Sequence, residues 1–284
     1  MGISNQNLAK KNRKLPKTEI MRFLIKLNKL EGTEIPANYQ YPMSAAIYRI
    51  ISKGDSGYGQ FLHERSDGEK DKGFKLFSFS QLVVPFEIVG DKKDRFRILS
   101  NEAKFQVAFH LPQAMESFIK GLFQSEKIEI ADKKSKASFS VKSVESLLNP
   151  LGSHKENEIV EIQLKPLSPV VAGLPLNDGK YKFLSPDNLE FAESLIFNWR
   201  NKIATCFDEQ SATSALLLIE IITMKTSFKS RLITIKADTQ VETKIRGWMN
   251  FGLKVTAERR FVDLLLNSGA GVYNAQGMGC LVGD

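Results

Sequence analysis

The spacing of apolar residues divides the first half of the chain into strand-like and helix-like segments. Alternating apolar and polar residues predict strands over 21–29, 75–86, 95–110 and 127–144. Apolar residues that recur every three or four positions predict two helices, which begin near Pro42 and at Leu111. The predicted order of elements is therefore βαββαβ.

The second half repeats this order without visible sequence identity to the first. Strands are predicted over 159–164, 215–222, 230–236, 248–255 and 280–282, and helices over 186–207 and 259–266. The buried face predicted for the helix 186–207 carries Leu189, Ala192, Ile196, Trp199 and Ile203. Two tandem βαββαβ units predict an α+β fold of two ferredoxin-like (RRM-like) domains, each an antiparallel sheet with helices on one face.

Changes in this pattern set the expected domain boundaries. Residues 1–20 show no periodicity, and we interpret them as a basic flexible extension, whether native or added. The first ferredoxin-like domain is expected over 21–150 and the second over 151–284, with the linker near 149–158.

Composition narrows the class of protein. Hydrophobic residues make up 42% of the 284 residues and charged residues 25%, which excludes a largely disordered chain. The sequence has no apolar run of about 18 residues, so no transmembrane helix and no membrane partner are expected.

Positive charge is concentrated in two places. The net charge is +8, and residues 1–20 supply half of it, with five basic residues against Glu19. The window 224–260 carries nine basic and three acidic residues, a net of +6. A localised nucleic-acid footprint and two ordinary solvated strands both fit this window.

Few residues suit metal or disulfide chemistry. The two cysteines, Cys206 and Cys280, are too few for a disulfide framework or a four-cysteine zinc site, and free thiols favour the cytoplasm. The three histidines are scattered along the chain, and no acidic cluster suits a two-metal site. We therefore expect no metal and no cofactor.

Residues 269–279, called here the glycine loop, read Gly-Ala-Gly-Val-Tyr-Asn-Ala-Gln-Gly-Met-Gly. Glycine permits positive φ and lets another backbone approach closely. Successive exposed backbone N–H groups can also hold phosphate oxygens. The loop is therefore either a phosphate-binding element or a tightly packed connection.

The glycine loop resembles that of the CRISPR-associated repeat-RNA endoribonucleases, the Cas-six family, within the superfamily of repeat-associated RNA-binding proteins. Further segments are similar to that family in the same order, namely 21–25, 41–43, 47–48, 61–64, 75–80 and 166–170. The resemblance spans residues 21–282. It implies two ferredoxin-like domains and an enzyme that cleaves RNA without a metal.

The resemblance also implies roles for single residues. His63 matches the family's catalytic histidine, Tyr48 its tyrosine and Lys75 its lysine, although Lys70 or Lys72 could serve in place of Lys75. An imidazole with an unperturbed pKa of about 6.5 can act as general base or acid. The expected RNA-binding residues are Gly269, Gly271, Gly277, Gly279, Lys244 and Arg246.

The expected partner is CRISPR repeat RNA, the precursor of guide RNA. We expect an endoribonuclease that matures guide RNA, and the alternative is a subunit that holds repeat RNA without cutting it. Membership of a multi-subunit interference complex and the oligomeric state also stay open. The presence of His63 favours the enzyme.

Overall fold

The computed structural model describes residues 21–64, 75–176, 181–235 and 242–283. The proposed extension 1–20 and the alternative lysines Lys70 and Lys72 lie outside the described residues, as does the His63 side chain. Within the described part of the chain, no helix has the length and hydropathy needed to cross a membrane.

The first half forms a five-stranded antiparallel sheet with helices and a small second sheet. Its elements are β1 (Arg22–Glu31), β2 (Glu34–Pro36), α1 (Gln40–Gly54), α2 (Ser56–Glu64), β3 (Phe77–Phe79), β4 (Phe86–Val89), β5 (Arg95–Ile98), β6 (Glu102–Phe109), α3 (Pro112–Phe123), β7 (Ile128–Ala131) and β8 (Lys136–Ser146). The main sheet has the order β3-β6-β1-β8-β7. The strands β1, β3, β6 and β8 with α1 and α3 make the predicted βαββαβ unit.

The second half repeats the unit with two inserted hairpins. Its elements are β9 (Ile159–Pro166), β10 (Ala172–Pro175), β11 (Tyr181–Leu184), α4 (Glu190–Cys206), α5 (Glu209–Ser214), β12 (Leu218–Thr223), β13 (Lys229–Ile235), β14 (Thr243–Met249), β15 (Phe251–Glu258), α6 (Arg259–Ser268) and β16 (Leu281–Gly283). The sheet order β12-β15-β9-β16 corresponds strand for strand to β3-β6-β1-β8 of the first domain. The fold is thus two tandem ferredoxin-like domains, as predicted.

Four predicted strands are divided in the structure. The segment 127–144 splits into β7 and β8, which pair with each other as a hairpin. The segment 248–255 breaks at Asn250, which has φ +64°, a left-handed value that asparagine tolerates. β14 therefore pairs with β13, whereas β15 joins the main sheet. The segments 75–86 and 95–110 divide as well, and their β4 and β5 portions form a separate three-stranded sheet with β2.

The buried face of α4 also differs from the prediction. Leu189 precedes the helix and is 94% exposed. The buried residues are Phe191, Leu195, Trp199, Lys202 and Ile203. The apolar residues of α4 are spread around the helix, so the partner surface, and not the periodicity, selects the face that is buried.

The helices of the first domain pack closely enough to fix the start of α2. A Cβ on Gly54 would lie 1.9 Å from the Ser117 carbonyl oxygen, and one on Gly121 would lie 1.8 Å from that of Ile50. This close crossing holds α1 against α3. Asp55 then accepts the Tyr58 backbone N–H at 2.9 Å, which satisfies an N–H of the first turn of α2.

Hydrogen bonds tie the two domains together. The Arg22 guanidinium is buried and donates to the Leu281 carbonyl oxygen at 3.0 Å. On another part of the molecule, the Arg231 guanidinium donates to the Ala37 carbonyl oxygen at 2.6 Å. Both contacts join residues almost two hundred or more positions apart, so they fix how the domains lie against each other.

Candidate active site and RNA interface

The structure brings Tyr48 and Lys75 together. The Lys75 ammonium nitrogen lies 4.6 Å from the centroid of the Tyr48 ring, within cation–π range. Phe77 packs edge-on against the same ring, with centroids 5.5 Å apart. The two residues come from α1 and from the segment before β3, which lie 27 positions apart in the sequence.

The backbone next to Lys75 is strained. Leu76 has φ +48°, a region that leucine rarely adopts, and its side chain is buried in the core of the second domain. The Leu76 carbonyl oxygen accepts the backbone N–H of His110 at 2.9 Å. Such a conformation persists because the surrounding contacts impose it, and strained residues cluster at functional sites.

The Tyr48 hydroxyl is a buried polar group in need of an explanation. It is inaccessible to solvent and has no hydrogen-bond partner among the described residues. Burial, with a smaller contribution from Tyr58, raises the pKa of Tyr48 above its usual value. The phenol therefore stays protonated near neutral pH and is able to donate a hydrogen bond.

The backbone of His63 lies in the last turn of α2. A Cβ on Gly59 would lie 2.2 Å from Ser52 Oγ, so α2 packs directly on α1 at this point. One helical turn before Ser52 is Tyr48, and one helical turn after Gly59 is His63. The fold thus gives Tyr48 and His63 matching positions on two adjoining helices.

The four glycines of the glycine loop repeat one backbone geometry. The φ values are +86° and +67° for Gly269 and Gly271, and again +86° and +67° for Gly277 and Gly279. All four are buried. A Cβ on Gly271 would lie 2.1 Å from the Val171 carbonyl oxygen, so side chains are excluded by both strain and space.

The glycine loop uses much of its backbone within the protein. The Gly279 N–H donates to the Pro169 carbonyl oxygen, and the Gly269 N–H to that of Leu265, both at 2.8 Å. The Gly277 N–H donates within the loop to Asn274 at 3.0 Å. The sequence left a phosphate-binding element and a packed connection open, and these contacts favour close packing for the glycines themselves.

The glycine loop also reaches the first domain beside the Tyr48 and Lys75 pair. Ser44, one turn before Tyr48 on α1, donates from Oγ to the Ala275 carbonyl oxygen at 2.6 Å. A Cβ on Gly277 would lie 2.7 Å from the ring of Phe79 in β3, the strand that follows Lys75. The loop therefore contacts α1, which carries Tyr48, and β3, which follows Lys75.

Lys244 and Arg246 lie on the hairpin of β13 and β14. Both are exposed and flank the buried Ile245. Residues of the opposite hairpin face pack with Met278 of the glycine loop in a small third core, made of Val171, Ile233, Ile235, Ile245 and Met278. The hairpin thus presents two positive charges outward while it rests on the glycine loop.

Several charges of the basic window have partners within the protein, and the exposed Lys244 itself pairs with Glu242 at 3.7 Å. Lys254 pairs with Glu161 at 3.1 Å, and Arg259 pairs with Asp263 at 3.1 Å. The Arg231 guanidinium stacks on Tyr39, 5.6 Å from the ring centroid. The described basic residues of the window that stay exposed are Lys225, Lys229, Lys244 and Arg246.

Sequence reasoning missed two residues, Lys202 beside the glycine loop and Asn274 within it. Lys202 is 1% exposed, and its ammonium donates to Gly269 O at 2.6 Å and to Asn274 Oδ1 at 2.8 Å. The Asn274 amide in turn donates to the Ala270 and Met278 carbonyl oxygens. Lys202 lies three residues after Trp199, so its place on the apolar face of α4 was the available signal.

Comparisons with known proteins agree with this architecture. Two family models match, "CRISPR-associated protein Cas6, N-terminal" over residues 34–145 and "CRISPR associated protein Cas6, C-terminal" over residues 153–282. A curated protein of Methanocaldococcus jannaschii, "CRISPR-associated endoribonuclease Cas6 1", is 24% identical over 264 residues. That match covers 93% of each chain.

Solved structures share the fold. A structure described as "CRISPR associated protein Cas6" superposes with a TM-score of 0.66 at 22% identity and covers 93% of this chain and 99% of the other. A Cas6-related protein of Pyrococcus furiosus gives a TM-score of 0.71 at 20% identity, with 93% and 98% covered. With family models matching both halves, the chain belongs to the CRISPR-associated Cas6 family.

Proposed function

We propose that this chain is an endoribonuclease that cleaves CRISPR repeat RNA and so matures guide RNA. The named activity of the M. jannaschii relative and the match over both halves of the chain support this proposal. The observation in the site that carries it is Tyr48, whose buried hydroxyl has no partner among the described residues and whose ring centroid lies 4.6 Å from the Lys75 ammonium. A buried polar group of this kind fits a substrate-binding role.

The proposed reaction is an internal transesterification. The ribose 2′-oxygen attacks the adjacent phosphorus, and the bond from phosphorus to the 5′-oxygen breaks. The products are a 2′,3′-cyclic phosphate and a 5′-hydroxyl. The step needs a base for the 2′-proton, an acid for the leaving oxygen and positive charge near the phosphorane.

Three side chains supply these needs in our proposal. His63 takes or gives a proton, because an imidazole changes its charge near neutral pH. Tyr48 acts as a neutral phenol that donates a hydrogen bond to a reacting oxygen, because its raised pKa makes it a poor base. Lys75 places a positive charge near the developing negative charge on phosphorus.

RNA capture is assigned to the neighbouring surface. Lys244 and Arg246 would bind backbone phosphates from the outer face of the hairpin, since both are exposed. We propose an indirect part in RNA binding for Gly269, Gly271, Gly277 and Gly279, which shape the loop on which this hairpin rests. The whole interface would then border the Tyr48 and Lys75 pair.

The test is cleavage of an RNA oligonucleotide with the repeat sequence of a CRISPR array from the same genome. We expect cleavage in excess EDTA. His63→Ala should slow the single-turnover rate about 10²–10⁴-fold, the usual effect of a general acid or base. Its affinity for the RNA should change little. His154→Ala is the matched control, because that histidine is exposed and pairs with Glu158 at 2.7 Å.

Two results would reject the proposal. Loss of cleavage on chelation, with recovery on addition of Mg²⁺ or Mn²⁺, would reject the metal-independent reaction. Tight binding of the repeat RNA by the wild type without any cleavage would favour the alternative, a subunit that holds the RNA. A His63→Ala variant that loses affinity and rate equally would make His63 a positioning residue.

A further inference from the structure

A buried lysine and an asparagine hold the two ends of the glycine loop together. The Lys202 ammonium, on α4, donates to Gly269 O at 2.6 Å and to Asn274 Oδ1 at 2.8 Å, with a longer contact to Ser268 O at 3.5 Å. The Asn274 amide nitrogen donates to Ala270 O at 2.9 Å and to Met278 O at 3.1 Å. One asparagine side chain thus bonds to both Gly-x-Gly units.

The outer glycines make room for this asparagine. A Cβ on Gly269 would lie 2.7 Å from Asn274 Nδ2, and a Cβ on Gly279 would lie 2.8 Å from the same atom. Asn274 is five positions from each of them, at the centre of the loop sequence. Two of the four glycines are therefore required by the Asn274 amide, in addition to their positive φ.

Burying the Lys202 ammonium is costly, so its contacts call for an explanation. Burial lowers the pKa of Lys202 to about 7, while Cys206 acts in the opposite direction. A lysine almost never becomes fully buried unless it is paired. A methionine or leucine would fill this place at less cost to the fold, which points to a role for the donor atoms.

We propose that Lys202 and Asn274 form a clamp that fixes the glycine loop and, through it, the positions of Tyr48 and Lys75. The loop bonds to Ser44, one turn before Tyr48, and packs on β3, which follows Lys75. Lys202 and Asn274 are thus positioning residues, and this inference rests on the proposed function. The clamp acts on the chemical step because it orders the elements that carry the reacting groups.

The test compares Lys202→Met and Asn274→Ala with Cys206→Ala in the full chain. Cys206 lies one turn after Lys202 on α4, and its substitution keeps every donor and acceptor of the clamp. Three quantities are measured: amide hydrogen exchange across 269–280, the single-turnover rate at saturating repeat RNA, and the Kd for repeat RNA with a 2′-deoxyribose at the cleaved nucleotide.

In both clamp variants we expect exchange of the Ala270 and Gly279 amides to become at least about tenfold faster. The rate at saturating RNA should fall at least about tenfold, because positioning acts on the chemical step. Kd should change less than about threefold, because both variants keep the exposed Lys244 and Arg246 and the apolar contact of their hairpin with Met278. Cys206→Ala should match the wild type in all three measurements. A change of rate without a matching change of Kd separates positioning from general damage to the fold.

The proposal is overturned if the loop exchanges faster while cleavage keeps its wild-type rate, if the rate and the affinity for the RNA fall by equal factors, or if exchange does not change. Should Lys202→Met fail to fold, Asn274→Ala decides alone, since Asn274 is only partly buried. A wild-type chain that does not cut the RNA sinks the proposed function and the positioning role together. Amide hydrogen exchange in Lys202→Met and Asn274→Ala would then still show whether Lys202 and Asn274 hold the glycine loop in place.

Discussion

Tyr39 immediately precedes α1 and Tyr48 lies within it, and the two tyrosines differ in what their hydroxyl groups contact. Tyr39, which precedes the first turn of α1, accepts the Leu82 backbone N–H at 2.9 Å. The Tyr48 hydroxyl is also buried, but it has no partner among the described residues. The first hydroxyl therefore serves the fold, and we assign the second to the substrate.

The two tyrosines make a matched pair of phenylalanine variants. Tyr48→Phe should slow single-turnover cleavage about tenfold or more and leave the free energy of unfolding unchanged or higher, because the lost hydroxyl has no described partner. Tyr39→Phe should lower the free energy of unfolding by about 1 kcal/mol, since it leaves a buried N–H unsatisfied, and should keep the cleavage rate of the folded protein.

Chemical denaturation and single-turnover kinetics on both variants check this prediction. If Tyr48→Phe unfolds more easily and cleaves at the wild-type rate, the hydroxyl is structural, and its partner lies among residues that the structure does not describe. If Tyr39→Phe is fully folded and does not cleave the RNA, the assignment of the Tyr39 hydroxyl to the fold alone is wrong.

At the scale of elements, the hairpin of β13 and β14 carries basic residues with two different surroundings, one against the first domain and two exposed to solvent. Arg231 faces the first domain, where it donates to Ala37 and stacks on Tyr39. Lys244 and Arg246 face outward from β14. One β-hairpin thus uses one charge to dock against the fold and two charges as a candidate phosphate-binding surface.

Replacing Lys244 and Arg246 by alanine should weaken RNA binding without slowing cleavage at saturating RNA. The slope of log affinity against log salt should fall by about 0.7 for each charge that contacts a single-strand phosphate. Lys136→Ala is the control, because Lys136 is basic and exposed but pairs with Glu129 at 2.7 Å in the first domain. Filter binding across a salt series measures the slopes.

An unchanged slope in the Lys244 and Arg246 variant would place the RNA elsewhere on the surface. A change of equal size in Lys136→Ala would show that any lost positive charge weakens binding. Either outcome would favour the other interpretation of the basic window, namely that its strands carry ordinary solvated charges and do not bind RNA.

At the scale of the whole molecule, titratable groups of both domains meet near the glycine loop. His110 follows β6 of the first domain, and its ring lies 6.4 Å from that of Phe207 in the second. Burial, followed by the charge of Lys202, lowers the pKa of His110 to about 4. Folding therefore keeps this imidazole neutral at pH values where an unfolded chain protonates it.

The sign of the pH dependence follows from these pKa values. Between about pH 4 and about pH 6.5 the unfolded chain binds more protons at His110 than the folded chain, so the free energy of unfolding should rise with pH across this range. The Lys202 pKa of about 7, below its usual value, adds a further rise on the alkaline side.

Chemical denaturation at pH 4.5 and pH 6.5 measures how much the free energy of unfolding rises between these two pH values, in the wild type and in His110→Gln. The variant should lose part of the rise, because glutamine has no proton to bind in either state. Identical changes with pH in both proteins would contradict the prediction and would mean that His110 titrates alike in the folded and unfolded chains.

The sequence by itself determined the two βαββαβ units and the residue types that carry the chemistry. Periodicity depends on neighbours within one or two turns, so α1, α3 and α6 are found where the pattern predicts them. The spacing of the glycine loop is likewise local, and it carried the resemblance to the Cas6 family, which the family models confirm. The roles of His63, Tyr48 and Lys75 stay predictions.

Only the tertiary structure decided which contacts these elements make. From the sequence alone, Lys202 is expected on the surface, because an ammonium group prefers water. It is buried in the structure because Gly269 O and Asn274 Oδ1 accept hydrogen bonds from it. Ser44 and Ala275 meet across 231 positions, a distance that no local pattern covers. Burial and pairing are properties of packed surfaces, so they appear only once both domains are in place.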